Sequence, residues 1–453
     1  MQSNYESMIQ EFRVTNFMSF RDETVLSFEP VGKGHKGKKH DNEADRLVYP
    51  ASTKTKLLRL AIFYGANASG KSNMLQAIRF LVNFCKKKSA LPAEPTGVTP
   101  FLLNRASKNL PSKFSLKFFI NGIRYWYTLS LDTSKVFSEA LYYYKTSQPI
   151  NLFKRIDNQL EFNPAENTLS GTAKELLELN CFQNLPFFAS KTKVNIKLKH
   201  IDRVGEYFEK SFMDSDIPQE TLFSAAEQLI AESHEAKNHI LHLLKEADFN
   251  ISDISSKKEE IPVPEDVRNS LLSNSSIPEK MKESLRLRSS YDRVKTLFTH
   301  HVEENGRFRE FDFPSQSQSL GTRRLLALES FLFSMEESDR ISAIDEVDTS
   351  LHPSLVDLIM SKFARHSGAS QLIVSTHYTG LLDNPDLRDD CFWITQKDPS
   401  GASSIHSVGK IRDLRLTSKE KGYRSGRLGG IPIIKTPAED NSFSPDFELS
   451  LFD

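Results

Sequence analysis

With 453 residues, the chain is long enough for two or three domains and a substantial core. Its 59 basic and 59 acidic residues cancel, which excludes a whole-molecule attraction to nucleic acid and leaves only local basic patches for that purpose. Cys85, Cys181 and Cys391 are far apart, so the composition excludes a disulfide framework or a cysteine-spaced metal site and points to a reducing compartment.

The opening MQSNYESMIQEF has neither a basic region nor a long apolar run, and no segment has about twenty consecutive apolar residues. The expectation is a soluble cytoplasmic protein without a secretory signal or membrane contact. Phe12 to Phe20 is predicted to be a strand, with partial alternation through Phe12, Val14 and Phe17, and Thr24 to Phe28 a second. Arg13 and Arg21 are either solvated strand residues or contacts to a phosphate or base. The run GKGHKGKKH at 32–40 is too polar for a core, and reads as a surface loop whose charge also offers a contact to phosphate or nucleic acid.

Leu58 to Phe63 form a short apolar run, followed by Gly65-Ala-Asn67-Ala-Ser-Gly70-Lys71-Ser72 and then Leu75, Ile78 and Leu81 at helical spacing. This is the complete GxxxxGK[ST] pattern between a predicted strand and a predicted helix. Glycines remove Cβ atoms where backbone N–H groups converge on a phosphate, and the helix adds its positive end. Lys71 is placed to reach the β/γ-phosphates of a nucleotide and Ser72 to hold Mg²⁺, with Asn67 and Asn73 as neighbouring contacts.

Lys86 to Lys88 end that helix and suit its dipole. Phe114, Leu116 and Phe118 alternate, Asn121-Gly122 signals a hairpin, and Tyr125, Tyr127 and Leu129 resume the alternation; with Ala140 to Tyr144 these predict an antiparallel meander. Its aromatic face is read as core, the rival reading being a stacking platform for bases. Helices are predicted at Thr172 to Cys181, Phe223 to Leu244 and Met281 to Phe298, with Ser255 to Pro278 as a linker. Lys191, Lys193, Lys197 and Lys199 are placed on one face of a possible strand.

Ser319-Leu-Gly321-Thr322 precedes an apolar helix, a further place where backbone and hydroxyl donors can meet phosphate. Ile341 to Ile344 reads as a strand ending in Asp345-Glu346: Asp345 is placed to bind the Mg²⁺ shell and Glu346 to polarise an attacking water. Asp348 follows, then a helix through Leu355, Val356, Ile359 and Phe363. Gln371 to Val374 forms one more strand, ending in Ser375-Thr376-His377, where His377 suits a γ-phosphate sensor.

Taken together, these motifs resemble the ABC-type ATPase heads of the SMC/Rad50/OLD group and, more closely, prokaryotic AAA15/AAA21-type ATPases similar to the RloA, AbiL and PARIS-type antiphage proteins. The resemblance is carried by Asn16-Phe-Met-Ser-Phe20, Pro100-Phe-Leu-Leu103, Gly321-Thr-Arg-Arg-Leu-Leu326, Asp345-Glu-Val-Asp-Thr-Ser-Leu-His-Pro353, Ser375-Thr-His377 and Tyr423 to Pro432. It implies an α/β fold: an ABC/Rad50-like P-loop ATPase head with an antiparallel β lobe and an inserted helical subdomain. Expected boundaries are 1–165 for the N-terminal part of the head, 166–300 for a mainly helical insertion or short arm, 301–435 for the C-terminal part and 436–453 for a tail. The resemblance assigns Gly65 to Ser72 to Walker A, Asp345 and Glu346 to Walker B and the catalytic glutamate, Ser319 and Gly321 to the signature position, Asp348 to the D-loop and His377 to the switch. Leu320 and Thr322 replace the usual signature glycine and glutamine, and no Q-loop glutamine is assigned.

The implied cofactors are ATP and Mg²⁺, and the implied assembly is a head-to-head homodimer or higher homo-oligomer. The preferred functional expectation is an ATP-hydrolysing sensor in antiphage defence that controls a separate Toprim-type effector nuclease, triggered by DNA or a phage product. The rivals are an OLD-like nuclease or repair ATPase acting on DNA, and an ATP-dependent scaffold. The tail Phe443 to Asp453 alternates aromatic and acidic groups and is expected either to dock on a head or partner or to remain unpacked.

Overall fold

The computed structural model describes residues 7–31, 44–91, 93–214, 217–247, 250–274, 282–283, 286, 290–411 and 417–432. The basic run at 32–40 and the tail at 436–453 lie outside the described residues.

β1 (Met8–Thr15) and β2 (Thr24–Ser27) pair antiparallel, with Phe12 opposite Leu26; the first strand starts before the predicted 12–20 and stops at Thr15, where Asn16 and Met18 at positive φ turn the chain. After a small hairpin of β3 (Val48–Pro50) and β4 (Lys56–Leu58), β5 (Leu60–Tyr64) leads through the glycine loop into α1 (Lys71–Lys86). Every residue of β5 is buried, as a strand covered on both faces requires. Next come β6 (Ser112–Ile120), β7 (Ile123–Leu131), β8 (Val136–Tyr144), β9 (Pro149–Ile156) and β10 (Gln159–Phe162). With the first hairpin they build an antiparallel sheet in the order β10-β9-β8-β7-β6-β1-β2. Asn121 and Gly122, both at positive φ, supply the turn between β6 and β7.

α2 (Gly171–Leu179), α3 (Phe187–Thr192) and α4 (Lys199–Lys210) follow the meander. Its aromatic face is core: Phe118 and Tyr125 are fully buried, and Phe118 stacks on Tyr207 of α4 with ring centroids 4.3 Å apart. The four lysines from 191 to 199 do not share a strand. Lys191 lies in α3 and Lys199 opens α4, where Ile201, Val204 and Phe208 supply a buried helical stripe; Lys191 pairs with Asp202 at 2.8 Å.

β11 (Phe212–Met213) precedes α5 (Gln219–Glu232) and α6 (His234–Glu246), which replace the single helix predicted over 223–244. Ser233 makes the break, its hydroxyl capping α6 by accepting from Ala236 N at 3.1 Å. The predicted linker and the helix after it are corrected further. β12 (Ile251–Pro262), α7 (Glu265–Ser273), β13 (Ser290–Glu304) and β14 (Arg307–Pro314) occupy this region, and the three strands form one antiparallel sheet. Ser256 sits opposite Thr296, 40 residues on, and Leu297 opposite Pro314, 17 residues on, so the backbone partners of this polar stretch lie beyond any local pattern. Buried Ile254 and Phe298 anchor the sheet beneath α5 and α6.

The remaining elements are α8 (Leu320–Glu337), β15 (Ile341–Ile344), α9 (Pro353–Arg365), β16 (Gln371–Ser375), β17 (Phe392–Lys397), β18 (Ser403–Ser407) and α10 (Lys419–Arg424). A second sheet has the order β11-β15-β16-β5-β17-β18, parallel from β11 to β17 and antiparallel only at β18. The result is a mixed α/β molecule with a parallel-centred sheet, an antiparallel lobe and helical insertions. Among the described residues, no helix is long and apolar enough to cross a membrane.

Adjacent strands β8 and β9 of the antiparallel sheet carry a fully buried cross-strand ion pair, Arg155 Nη1 to Glu139 Oε2 at 3.4 Å. Glu139 also accepts from Tyr127 Oη at 2.8 Å and from Phe187 N at 2.8 Å, yet burial outweighs these partners and pushes its pKa up. Arg155→Met is expected to destabilise the protein by about 3–5 kcal/mol in chemical unfolding, because it strands a buried carboxylate. Glu139→Gln is expected to cost less, because it keeps one acceptor oxygen and Arg155 retains its bonds to the carbonyls of Asp157, Leu185 and Phe182.

Candidate nucleotide site

Three adjacent parallel strands, β15, β16 and β5, end at the same edge: Ile344 pairs with Val374, and Ser375 with Phe63. Their continuations are therefore brought together, namely Asp345-Glu346, Thr376-His377 and Gly65 to Ser72. In open parallel sheets this carboxyl edge is where ligands bind.

The glycine loop is held from both sides. A Cβ on Gly65 would lie 2.4 Å from Thr395 O of β17, and one on Gly70, at φ 116°, would lie 2.6 Å from Ser403 Oγ of β18. Ser403 Oγ donates to Ser69 O at 2.6 Å, and Ser403 N donates to Ser19 O at 2.7 Å. Asn73, in the first turn of α1, donates to Ser19 Oγ at 2.7 Å, which ties the Asn16 to Phe20 turn to the loop. Behind it, the Tyr423 ring packs 5.7 Å from Tyr64, Tyr423 Oη donates to Gly430 O at 3.2 Å, and a Cβ on Gly430 would lie 3.5 Å from Gly65 Cα.

Lys71 is buried, and its ammonium arches back to donate to Gly65 O at 2.8 Å and Ala66 O at 3.2 Å. Burial holds its pKa below the ordinary lysine value, against the opposing pull of Asp345, Glu346 and Asp348. Gly70 caps α1 without a side-chain hydrogen bond, leaving the first-turn N–H groups open to an anion. Ser72 is half-buried, and Asn67 is exposed at the tip of the loop.

Ser375 links the other two strand ends: its hydroxyl donates to Asp345 Oδ1 and accepts from Glu346 N at 2.8 Å. Glu346 is exposed and sits at φ 46°, a left-handed conformation that turns the chain sharply after Asp345. Asp348 accepts from His377 N at 3.2 Å, while the His377 side chain is exposed. Thus Lys71, Asp345, Glu346, Asp348 and His377 gather at one edge. Ser319 and Gly321 are elsewhere. Ser319 is exposed and caps α8 by accepting from Thr322 N at 3.1 Å, and a Cβ on Gly321 would meet Ser350 O at 3.2 Å; neither of these neighbours belongs to the glycine loop.

Among the described residues, no cluster of three or more His, Cys, Asp or Glu side chains could hold a metal by itself. One hydroxyl, from Ser72, and one carboxylate, from Asp345, are instead the sparse oxygen donor set that suits Mg²⁺, whose shell is otherwise made of phosphate oxygens and water. Sequence reasoning named neither Ser375, Ser19 nor Ser403 as a site residue. Ser375 and Ser19 lay inside recognised motifs, whereas Ser403 meets Ser69 across 334 residues and has no local signature.

Residues 60–383 match the family described as "AAA domain, putative AbiEii toxin, Type IV TA system". The chain belongs to this AAA-domain family. No curated protein matches it. Among solved structures it is similar to "SMC head domain from Thermotoga maritima", at TM-score 0.39 and 15% identity over 88% of this chain and 98% of that one. It is similar also to "Crystal structure of the SmcHead bound to the C-winged helix domain of ScpA", at TM-score 0.39 and 14% identity over 90% and 99%. In this AAA-domain protein, Gly65→Ala is expected to force the loop away from Thr395, lowering stability by about 1–3 kcal/mol in thermal unfolding.

Proposed function

We propose that this AAA-domain protein binds ATP on the glycine loop and hydrolyses it, using the exchange to open and close an assembly of two copies. The observation that carries the reading is the meeting of Lys71, Asp345, Glu346 and Asp348 at the carboxyl edge of β15, β16 and β5. Lys71 would leave its two loop carbonyls for the β- and γ-phosphates, and the open first-turn N–H groups of α1 would meet the same oxygens. Ser72 and Asp345 would hold Mg²⁺, which offsets charge on the phosphates. Glu346 accepts a proton from water as the water oxygen bonds to the γ-phosphorus and the bond to the β–γ bridging oxygen breaks. His377, fixed through its main chain by Asp348, is assigned to sensing the γ-phosphate.

Ser319 and Gly321 complete the proposal in the second copy. An exposed helix N-terminus, directed at the turn after Glu346 and not at its own loop, supports a role on nucleotide held by a partner head. The γ-phosphate then holds the heads together, and its loss releases them. At the level of biology we assign the protein to antiphage defence as an ATP-driven regulator of a separate effector nuclease. The support is the motif resemblance together with the toxin–antitoxin wording of the matched family.

Lys71→Ala is expected to weaken ATP binding by about tenfold or more, measured by titration with a fluorescent nucleotide. Glu346→Gln is expected to retain ATP and accumulate as a dimer in light-scattering mass measurements. Parental turnover in the Glu346→Gln protein would remove the general-base assignment.

A further inference from the structure

A cavity of about 190 Å³ opens beside Asp345, on the side of α1 facing α8. It is lined by Gln76 and Arg79 of α1, Arg324 and Phe331 of α8, Leu222 of α5 and Asp345 itself. Ser72, Gln76 and Arg79 are spaced i, i+4 and i+7, so one stripe of α1 runs from the end of the glycine loop into this chamber.

Arg324 is the unexplained group. It is half-buried, its buried Nε has no hydrogen-bond partner, and burial alone lowers its pKa, with no carboxylate close enough to oppose the shift. The preceding Arg323 also has a buried Nε without a hydrogen-bond partner, but its charge is met by Glu220 and it lies over the Phe223 ring at 4.5 Å. A guanidinium held partly out of water without a counter-charge is costly, and such groups are normally paired. Arg79 donates to Ala343 O at 2.5 Å, which directs a second guanidinium along the same wall. Arg324, Arg79 and Gln76 line the cavity together with one carboxylate, Asp345, and Arg79 also borders a neighbouring hollow that holds Asp214. The volume is enough for a tetrahedral oxyanion with attendant water.

We propose that this chamber is an orthophosphate seat, with Arg324 as its principal ligand and Gln76 and Arg79 as secondary donors. The ion reaches it from the nucleotide side, past Asp345, so the seat receives the phosphate cut from ATP. The source of the ion rests on the hydrolysis reading; the seat itself does not.

The test is calorimetric titration of inorganic phosphate, without nucleotide, into the full-length parental, Arg324→Gln and Lys71→Ala proteins. Arg324→Gln is expected to weaken phosphate by about tenfold or more, since it removes a charge-assisted fork, while Lys71→Ala changes the affinity by less than about twofold. Circular-dichroism melting in phosphate-free buffer is expected to place Arg324→Gln at or above the parental midpoint, because the substitution removes an uncompensated cation. The proposal is overturned if the parent takes up no phosphate, if Arg324→Gln binds it like the parent, if Lys71→Ala abolishes binding and so puts the ion in the glycine loop, or if Arg324→Gln melts well below the parent. Arg324-dependent phosphate binding in a protein that does not turn over ATP would remove the hydrolysis reading and leave the seat. Turnover without such binding would do the reverse.

Discussion

The position of β5 between β16 and β17 is the constraint on which the site depends. In this slot the strand is buried at every residue, and its end is crowded by Thr395 and Ser403 until only glycine fits at 65 and 70. The loop therefore owes its shape to side chains and carbonyls from the last third of the chain as much as to its own glycines. The same pairing aligns the ends of β15 and β16, and Ser375 then fastens Asp345 and the Glu346 backbone to one hydroxyl. One register error in the parallel sheet would separate the glycine loop from all three acids.

The parts legible in the sequence were those whose signal is local. The glycine loop and its helix, the Asn121-Gly122 hairpin, the apolar strand before Asp345 and the serine cap of α8 are each specified within a dozen residues, and each is present. The linker predicted at 255–278 and the C-terminal part of the helix predicted at 281–298 fail for the opposite reason. Leu285, Tyr291, Val294 and Leu297 match a helical period, but Leu297 is satisfied across a ladder with β12 and β14, and pairing at long range overrides a weak local preference. The site shows the same division. Residues proposed to meet a nucleotide through loop chemistry lie in local motifs, whereas Ser403, which braces the loop from the far end of the chain, carries no pattern until the fold brings it there.

The charge distribution at the carboxyl edge couples the pieces of the proposed mechanism. Lys71 is set against three carboxylates, Asp345, Glu346 and Asp348, and burial already disfavours its charged form. A triphosphate brought to this edge alone would meet more negative than positive charge, at short range and partly screened from water, where such repulsion is strong. Binding on the proposed reading therefore requires a divalent cation at Ser72 and Asp345 together with the helix N-terminus, so nucleotide and metal occupy the edge jointly. The same imbalance gives the exposed N-terminus of α8 its electrostatic value. A second positive helix end, presented by another copy, would add favourable charge where a γ-phosphate adds negative charge and would lose that advantage when the phosphate leaves. On that reading closure and hydrolysis would be linked by the sign of the local field, without a separate lever to carry the signal.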